Sequence, residues 1–295
     1  MFKSIAVGIL ALAIGLLPKT GAFAQMDALV VSFNRCIDPS RPAESRIRAC
    51  IAVINARGID QDEVAFAWLD LGMAYKSQGG DRQRELEAYD KAIELQPDLW
   101  QAHFNRGALY FEAGDADKAL ADYLAMRQSG PDKVQYYRTD SHLDYRTAHI
   151  EGATSDRSNM DRPGREEADY ANALDTLGRA LQTALSNRCT RRAFAGLELD
   201  AALKDCDAVL QINASDETAR HARGIVEFRL ARWQAALSEF NAALSNHPNA
   251  AASLFMKGIV ERRMGEVSGG NTDIAAAEAL DGHLQNSYAQ FGIQP

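Results

Sequence analysis

Glycine and proline recur along this chain in a fixed frame, and the frame limits what the chain can fold into. Gly107 leads to Pro131 and Gly224 to Pro248, each 24 positions on, while Gly72 leads to Pro97 with one residue more. Pro97 and Pro131 are 34 apart, as are Gly224 and Gly258, and Gly72 and Gly107 are 35 apart. A period of roughly 34 residues has room for two helices and a turn, repeated. Such a unit cannot bury its apolar face alone, so neighbours stack to share one continuous core and leave a concave groove. The spacing predicts an all-α solenoid of helical hairpins that binds another macromolecule and has no chemistry of its own.

Helical periodicity fills the frame. Met26 to Cys36 and Ala43 to Ile54 form a first hairpin, and Ala65 to Gln78 follows, with Trp68, Leu71, Gly72 and Tyr75 on its apolar side. Gly79-Gly80-Asp81 makes a turn into a helix that buries Leu86, Tyr89, Ala92 and Ile93. The next unit places Gly107, Tyr110, Gly114, Ala119 and Tyr123 before Pro131. Each small residue lets two helices approach, each aromatic fills the wedge between them, and each proline is expected to end a helix.

These two units resemble the tetratricopeptide-repeat (TPR) family, as do Arg223-Gly224, Ala236, Phe240, Ala243 and Pro248, continuing into Leu254, Gly258 and Gly265. The hairpin with Cys189 and Cys206 matches more loosely, with Ala202 at a small position and Cys206 where an aromatic is usual. Glu85 stands where the family prefers alanine. The resemblance implies a non-enzymatic scaffold that binds a protein or peptide in its groove. Carried over position by position, it puts Phe104, Asn105 and Phe111, then His221, Ile225, Phe228 and Arg229, then Phe255, Ile259 and Arg262 on the inward side of first helices. The family's Lys and Asn clamp for a terminal carboxylate has no counterpart there. Aromatic and aliphatic groups with a few arginines suit an apolar segment carrying an acidic group.

The start of the chain reads as an export signal. Lys3 supplies a positive charge, Ile5 to Leu17 is an apolar run too short to span a bilayer, and Ala22-Phe23-Ala24 offers small residues for a signal peptidase, with Gln25 as the new N-terminus. Residues 1–24 are therefore assigned to a signal peptide, and the mature protein to the periplasm or the exterior, without stable membrane insertion. Loss of Lys3 and Lys19 takes the formal charge from −8 to −10. An acidic chain without a basic stripe is a poor partner for nucleic acid, whose phosphates supply most of that affinity.

The four cysteines fall in two local pairs. Cys36 and Cys50 flank Asp38-Pro39-Ser40-Arg41-Pro42, and Cys189 and Cys206 flank the turn Phe194-Ala195-Gly196-Leu197. An even count in an exported chain argues for two disulfides, each closing a loop of about 15 residues worth roughly 3 kcal/mol. Neither pair has zinc-knuckle or redox spacing.

From Asp132 to Arg165 the frame fails, and Gly152 to Gly164 has almost no apolar residue. The chain thus divides into a block at 25–131, an irregular insertion at 132–165 and a second block at 166–295, where Glu166 to Ser186 restores the helical period. In the tail, Gly269-Gly270-Asn271 is expected to lengthen the last turn, with Asp273 capping a helix through Leu280.

Catalytic constellations are weak. Ser141, His142, Asp144 and His149 are neighbours in sequence, which is no evidence that they converge in space. His142 and His149 lack the spacing of two ligands on one helix face, so no metal and no cofactor is expected. Tyr145-Arg146-Thr147-Ala148-His149-Ile150-Glu151-Gly152 is faintly similar to the core of small peptidoglycan-binding domains, with Glu151 in place of Asp and one residue inserted. That similarity makes a peptidoglycan-associated module the alternative to a protein-binding scaffold.

Overall fold

The computed structural model describes residues 21–79, 81–139 and 165–295. Among them every regular element is a helix: α1 (Gly21–Ile37), α2 (Ala43–Ile54), α3 (Gln61–Ser77), α4 (Arg82–Leu95), α5 (Trp100–Glu112), α6 (Ala116–Thr139), α7 (Arg165–Ala195), α8 (Leu199–Ile212), α9 (Glu217–Arg229), α10 (Trp233–Asn246), α11 (Ala251–Arg263), α12 (Val267–Leu280) and α13 (Leu284–Ala289). The apolar run Ile5–Leu17, the fragment Tyr145–Gly152 and the cluster Ser141, His142, Asp144 and His149 lie outside the described residues. The chain divides into one unit of residues 1–109 and 125–170 and another of 110–124 and 171–295.

In the first unit the α1–α2 hairpin is joined by the disulfide Cys36–Cys50, with both cysteines buried beside Ala49, Leu71 and Ala88. Arg46, only 4% exposed, donates from Nε to the Cys36 carbonyl at 3.0 Å and faces Asp70 at 3.8 Å. The α3–α4 hairpin turns at Gly79, and the Asp81 side chain caps α4 by accepting from the Gln83 and Arg84 amides. Gly72 on α3 lies under the Tyr89 ring of α4, so that a Cβ there would sit 2.4 Å from a ring carbon. The Tyr89 hydroxyl donates to buried Glu85 at 3.4 Å, which gives the carboxylate at the family's alanine position a partner.

The second unit repeats the arrangement with substitutions. Gly224 on α9 lies 2.6 Å, measured from its notional Cβ, from Phe240 of α10. Where α7 meets α8 the same place is taken by the Cys189–Cys206 disulfide. All four cysteines are thus paired within their own hairpins, and none is free. Asp205 of α8 is held between Arg188 at 2.5 Å and Arg192, and Arg188 reaches Asp117 of α6 at 2.8 Å. These four charges fasten α6, α7 and α8 together.

Three expectations need correction. Pro131 does not end a helix: α6 runs through it to Thr139. Proline removes one N–H and crowds the carbonyl of residue 127, which kinks a helix as readily as it breaks it. The eight residues that follow contain neither glycine nor a second proline. Just before that point the Met126 carbonyl accepts a further bond from the Tyr170 hydroxyl at 2.8 Å. Gly269 and Gly270 lie inside α12 and do not extend a turn. There Gly270 and Gly258 bring two helix backbones together, each notional Cβ falling within 2.6 Å of the other's carbonyl oxygen. Asp273 is in the middle of α12, where it pairs with Lys257 of α11 and caps nothing. A charge partner on the facing helix outweighs its capping preference, because the start of α12 lies two turns earlier.

Seven residues after each hairpin glycine the backbone turns through the left-handed region. Gly79, Gly114 and Gly265 do so at φ of 85°, 81° and 92°, but in the α9–α10 turn the residue is Ala231, at φ 56°.

Two outcomes follow from this geometry. Gly72→Ala and Gly224→Ala each force a methyl into a fully buried ring and should each lower stability by about 1–3 kcal/mol; an unchanged melting temperature in both would refute the contact. Ala231→Gly should instead raise stability by up to about 1 kcal/mol, relief of left-handed strain exceeding the entropy glycine adds to the unfolded chain. A lower melting temperature would show that Ala231 is not strained.

Candidate functional site

The inward positions expected of first helices fall in two places. Phe104 and Asn105 are half-buried on α5 in the first unit, where the Asn105 amide donates to the Gln101 carbonyl at 2.8 Å. Phe111, also half-buried, belongs to the second unit. His221, Phe228, Arg229, Phe255 and Arg262 are together in the second unit, on α9 and α11. The structure gives these five different surroundings.

Phe255 has no exposed surface and packs in the core with Ile225 and Ile259. His221 is held by two hydroxyls: Nδ1 lies 2.9 Å from Ser253 Oγ and Nε2 lies 2.8 Å from Tyr288 Oη. A neutral imidazole serves both, donating from one nitrogen and accepting at the other. The Phe194, Phe240 and Tyr288 rings surround it at 5.6 to 6.3 Å between centroids. Burial pushes the His221 pKa down from 6.5 to about 4. The same burial raises that of the Tyr288 phenol.

Arg229 closes the end of a helix. Its Nε donates to the Ala193 carbonyl at 2.8 Å and its Nη2 to the Phe194 carbonyl at 2.7 Å, two of the groups that α7 leaves without intrahelical partners. Nη2 also reaches the Phe291 carbonyl at 2.9 Å. Gly196 makes this possible, since it turns at φ 67° and a Cβ would lie 2.8 Å from the guanidinium. A cation at a helix C-terminus is further favoured by the aligned peptide dipoles. Arg229 is therefore a structural clasp, which the expectation of a free groove arginine did not anticipate. Arg262 is exposed, without an ion-pair partner among the described residues.

Two clefts adjoin this region. One, of about 430 Å³, is lined by Gly196, Leu199, Phe228, Arg229, Trp233 and Arg263, with the Phe228 and Trp233 rings tilted by 58° at 5.4 Å between centroids. The other, of about 850 Å³, runs along α7 past Asn187, Arg188, Arg191 and Phe194 to Thr218 and Phe291. Arg191 is exposed there with no ion-pair partner among the described residues. Arg188 keeps a buried Nε without a hydrogen-bond partner, as does the Thr190 hydroxyl. The arrangement offers aromatic faces beside guanidinium donors, a chemistry of recognition. Among the described residues no three His, Cys, Asp or Glu side chains gather as metal ligands would.

Sequence reasoning missed Phe194, Arg191, Trp233, Tyr288 and Phe291. Tyr288 and Phe291 did leave a signal, two aromatics three apart in a tail that also carries Leu284 and Ile293.

The pH dependence of this site has a definite sign. His221 holds its proton less tightly in the folded chain than in the unfolded one. Its contribution is complete above about pH 6.5 and is lost as pH falls from there towards 4, at up to about 1.4 kcal/mol per unit. His221→Gln should flatten the fall in melting temperature between pH 6.5 and 5, and identical slopes in both proteins would refute the assignment.

The tetratricopeptide-repeat family model matches residues 88–121. No curated protein matches the sequence. Among solved structures the chain is similar to YrrB, a TPR protein with an unusual peptide-binding site, at 16% identity over 77% of this chain and 91% of that one, TM-score 0.36. It is similar to MamA at 14% identity over 75% and 97% of the two chains, TM-score 0.32. A tetratricopeptide repeat protein from Parabacteroides merdae matches at 18% over 90% and 88%, TM-score 0.31. The chain thus carries one tetratricopeptide-repeat match, at residues 88–121, which spans the end of α4, α5 and the start of α6.

Proposed function

We propose that this chain is a non-catalytic scaffold of the cell envelope that binds a protein or peptide segment on the first-helix side of its second unit. The observation that carries the reading is the cleft along α7, where Arg191, without an ion-pair partner among the described residues, stands beside Phe194 and Phe291. An aromatic wall with a guanidinium free to form a charge-assisted bond accepts an apolar segment bearing a carboxylate. Repeat hairpins present such faces on rigid helices, which keeps the entropy cost of binding low.

The chemistry of the chain supports export. Two disulfides persist in oxidising compartments. The apolar run before Ala22-Phe23-Ala24 has the pattern of a removable signal, and cleavage after Ala24 would trim only the first turn of α1. Among the described residues no helix is long and apolar enough to cross a membrane.

A photoreactive residue at Thr218, in tagged protein expressed in its native cells, should capture one main chain, identified by mass. Arg191→Glu should reduce that capture at least tenfold, about 1.4 kcal/mol, with no change in melting temperature. Arg229→Ala should instead lower stability by roughly 1.5–3 kcal/mol, because it strips charged donors from helix-end carbonyls. Capture unaffected by Arg191→Glu would reject the cleft as the binding surface. Recovery of uncleaved protein from the cytoplasm would reject export.

A further inference from the structure

The last 15 residues, Asp281–Pro295, turn back from the final repeat onto the first-helix side of the second unit. Within them α13 has only six residues, too few to be stable alone in water. Its conformation is supplied by the surface it lies on. Tyr288 packs on Phe194 of α7 at 5.6 Å and on Phe255 of α11 at 5.2 Å, and its hydroxyl meets His221 of α9. Phe291 sits edge-on to Phe194 at 5.0 Å. Leu284 and Ile293 are also buried.

Main-chain contacts complete the arrangement. Arg229 donates to the Phe291 carbonyl at 2.9 Å and Arg263 to the Gln294 carbonyl at 3.3 Å. The side chains between the anchors, Gln285, Asn286, Ser287 and Gln290, face solvent. The join to α12 is the exposed run Asp281-Gly282-His283. One face of a short helical turn is thus read through two aromatics three residues apart, one hydroxyl and free carbonyls. Those are the terms in which a groove reads a separate peptide.

We propose that the first-helix face of the second unit is a recognition surface for a segment of the Tyr-x-x-Phe kind, with the chain's own tail as its resident ligand, which an external segment of the same chemistry displaces. The displacement rests on the scaffold reading above; the tail's behaviour as a ligand does not. Phe291, 39% exposed, forms one wall of the cleft that holds Arg191. An incoming chain that engages Arg191 therefore meets the tail first. Tethering gives the tail an effective concentration far above that of a free competitor, so the intact protein resists exchange.

The test uses the full chain with a specific protease site inserted between Gly282 and His283, cleaved after folding, and the released tail removed by dilution. The probe is a labelled peptide of residues 283–295. It should bind the tail-depleted protein with a micromolar Kd and the uncleaved protein at least tenfold more weakly. The same peptide carrying Tyr288→Ala and Phe291→Ala should fail to compete.

Loss of cooperative melting on removal of the tail would make the segment part of the core and overturn the proposal. Equal binding to cleaved and uncleaved protein, or competition by the alanine peptide, would also overturn it. These arms need no external partner. A peptide that rebinds while Thr218 captures nothing rejects the scaffold reading and the displacement with it, but not the tail as ligand. A partner captured while the peptide stays inert rejects the tail and leaves the scaffold.

Discussion

The fold depends on how closely the two helices of each hairpin can approach. At Gly72 and Gly224 the absence of a side chain lets a fully buried ring, Tyr89 or Phe240, lie directly on the facing backbone. That contact sets the inter-helix distance and fixes the register of the pair, because a ring has only one place to go. The other hairpins of the second unit keep the distance by different means. Cys189 and Cys206 replace the contact with a covalent bond, and Gly258 with Gly270 replaces it with touching backbones.

Buried charges then join one hairpin to the next. Asp205, 3% exposed, would be costly alone, yet it lies between Arg188 and Arg192, and Arg188 extends the link to Asp117. Such a set contributes little net stability once desolvation is counted, but removal of one member leaves a buried charge without a partner. Within one hairpin, Lys257 with Glu261 and Asp273 likewise ties α11 to α12. Apolar contacts alone would leave stacked hairpins freer to slide, whereas paired charges favour one alignment.

A surface built this way is rigid and regularly spaced, and in the second unit part of it is already in use. The aromatic and guanidinium groups that would welcome a foreign segment hold Tyr288 and the Phe291 carbonyl. What stays open lies beside the tail, along α7, where Arg191 has no ion-pair partner among the described residues.

The repeat was legible in the sequence because its causes are local or periodic. Glycine at a crossing, an aromatic 16 or 17 residues later, a turn glycine and a cysteine in each arm of a hairpin all act within one unit. The pairing of Cys36 with Cys50 and of Cys189 with Cys206 followed from that locality. Pro131 was not legible, since a proline's effect on a helix depends on what holds the helix on either side. Gly270 was not either, because a glycine in a turn and a glycine at a helix crossing look the same in one dimension. The candidate site was legible only as a face. His221, Phe228, Arg229, Phe255 and Arg262 do lie on first helices, but the roles of His221 and Arg229 depend on residues 32 to 67 positions away that only tertiary packing brings near. Period and pairing were written in the sequence; which of those side chains remain free to meet a partner was decided by where the tail comes to rest.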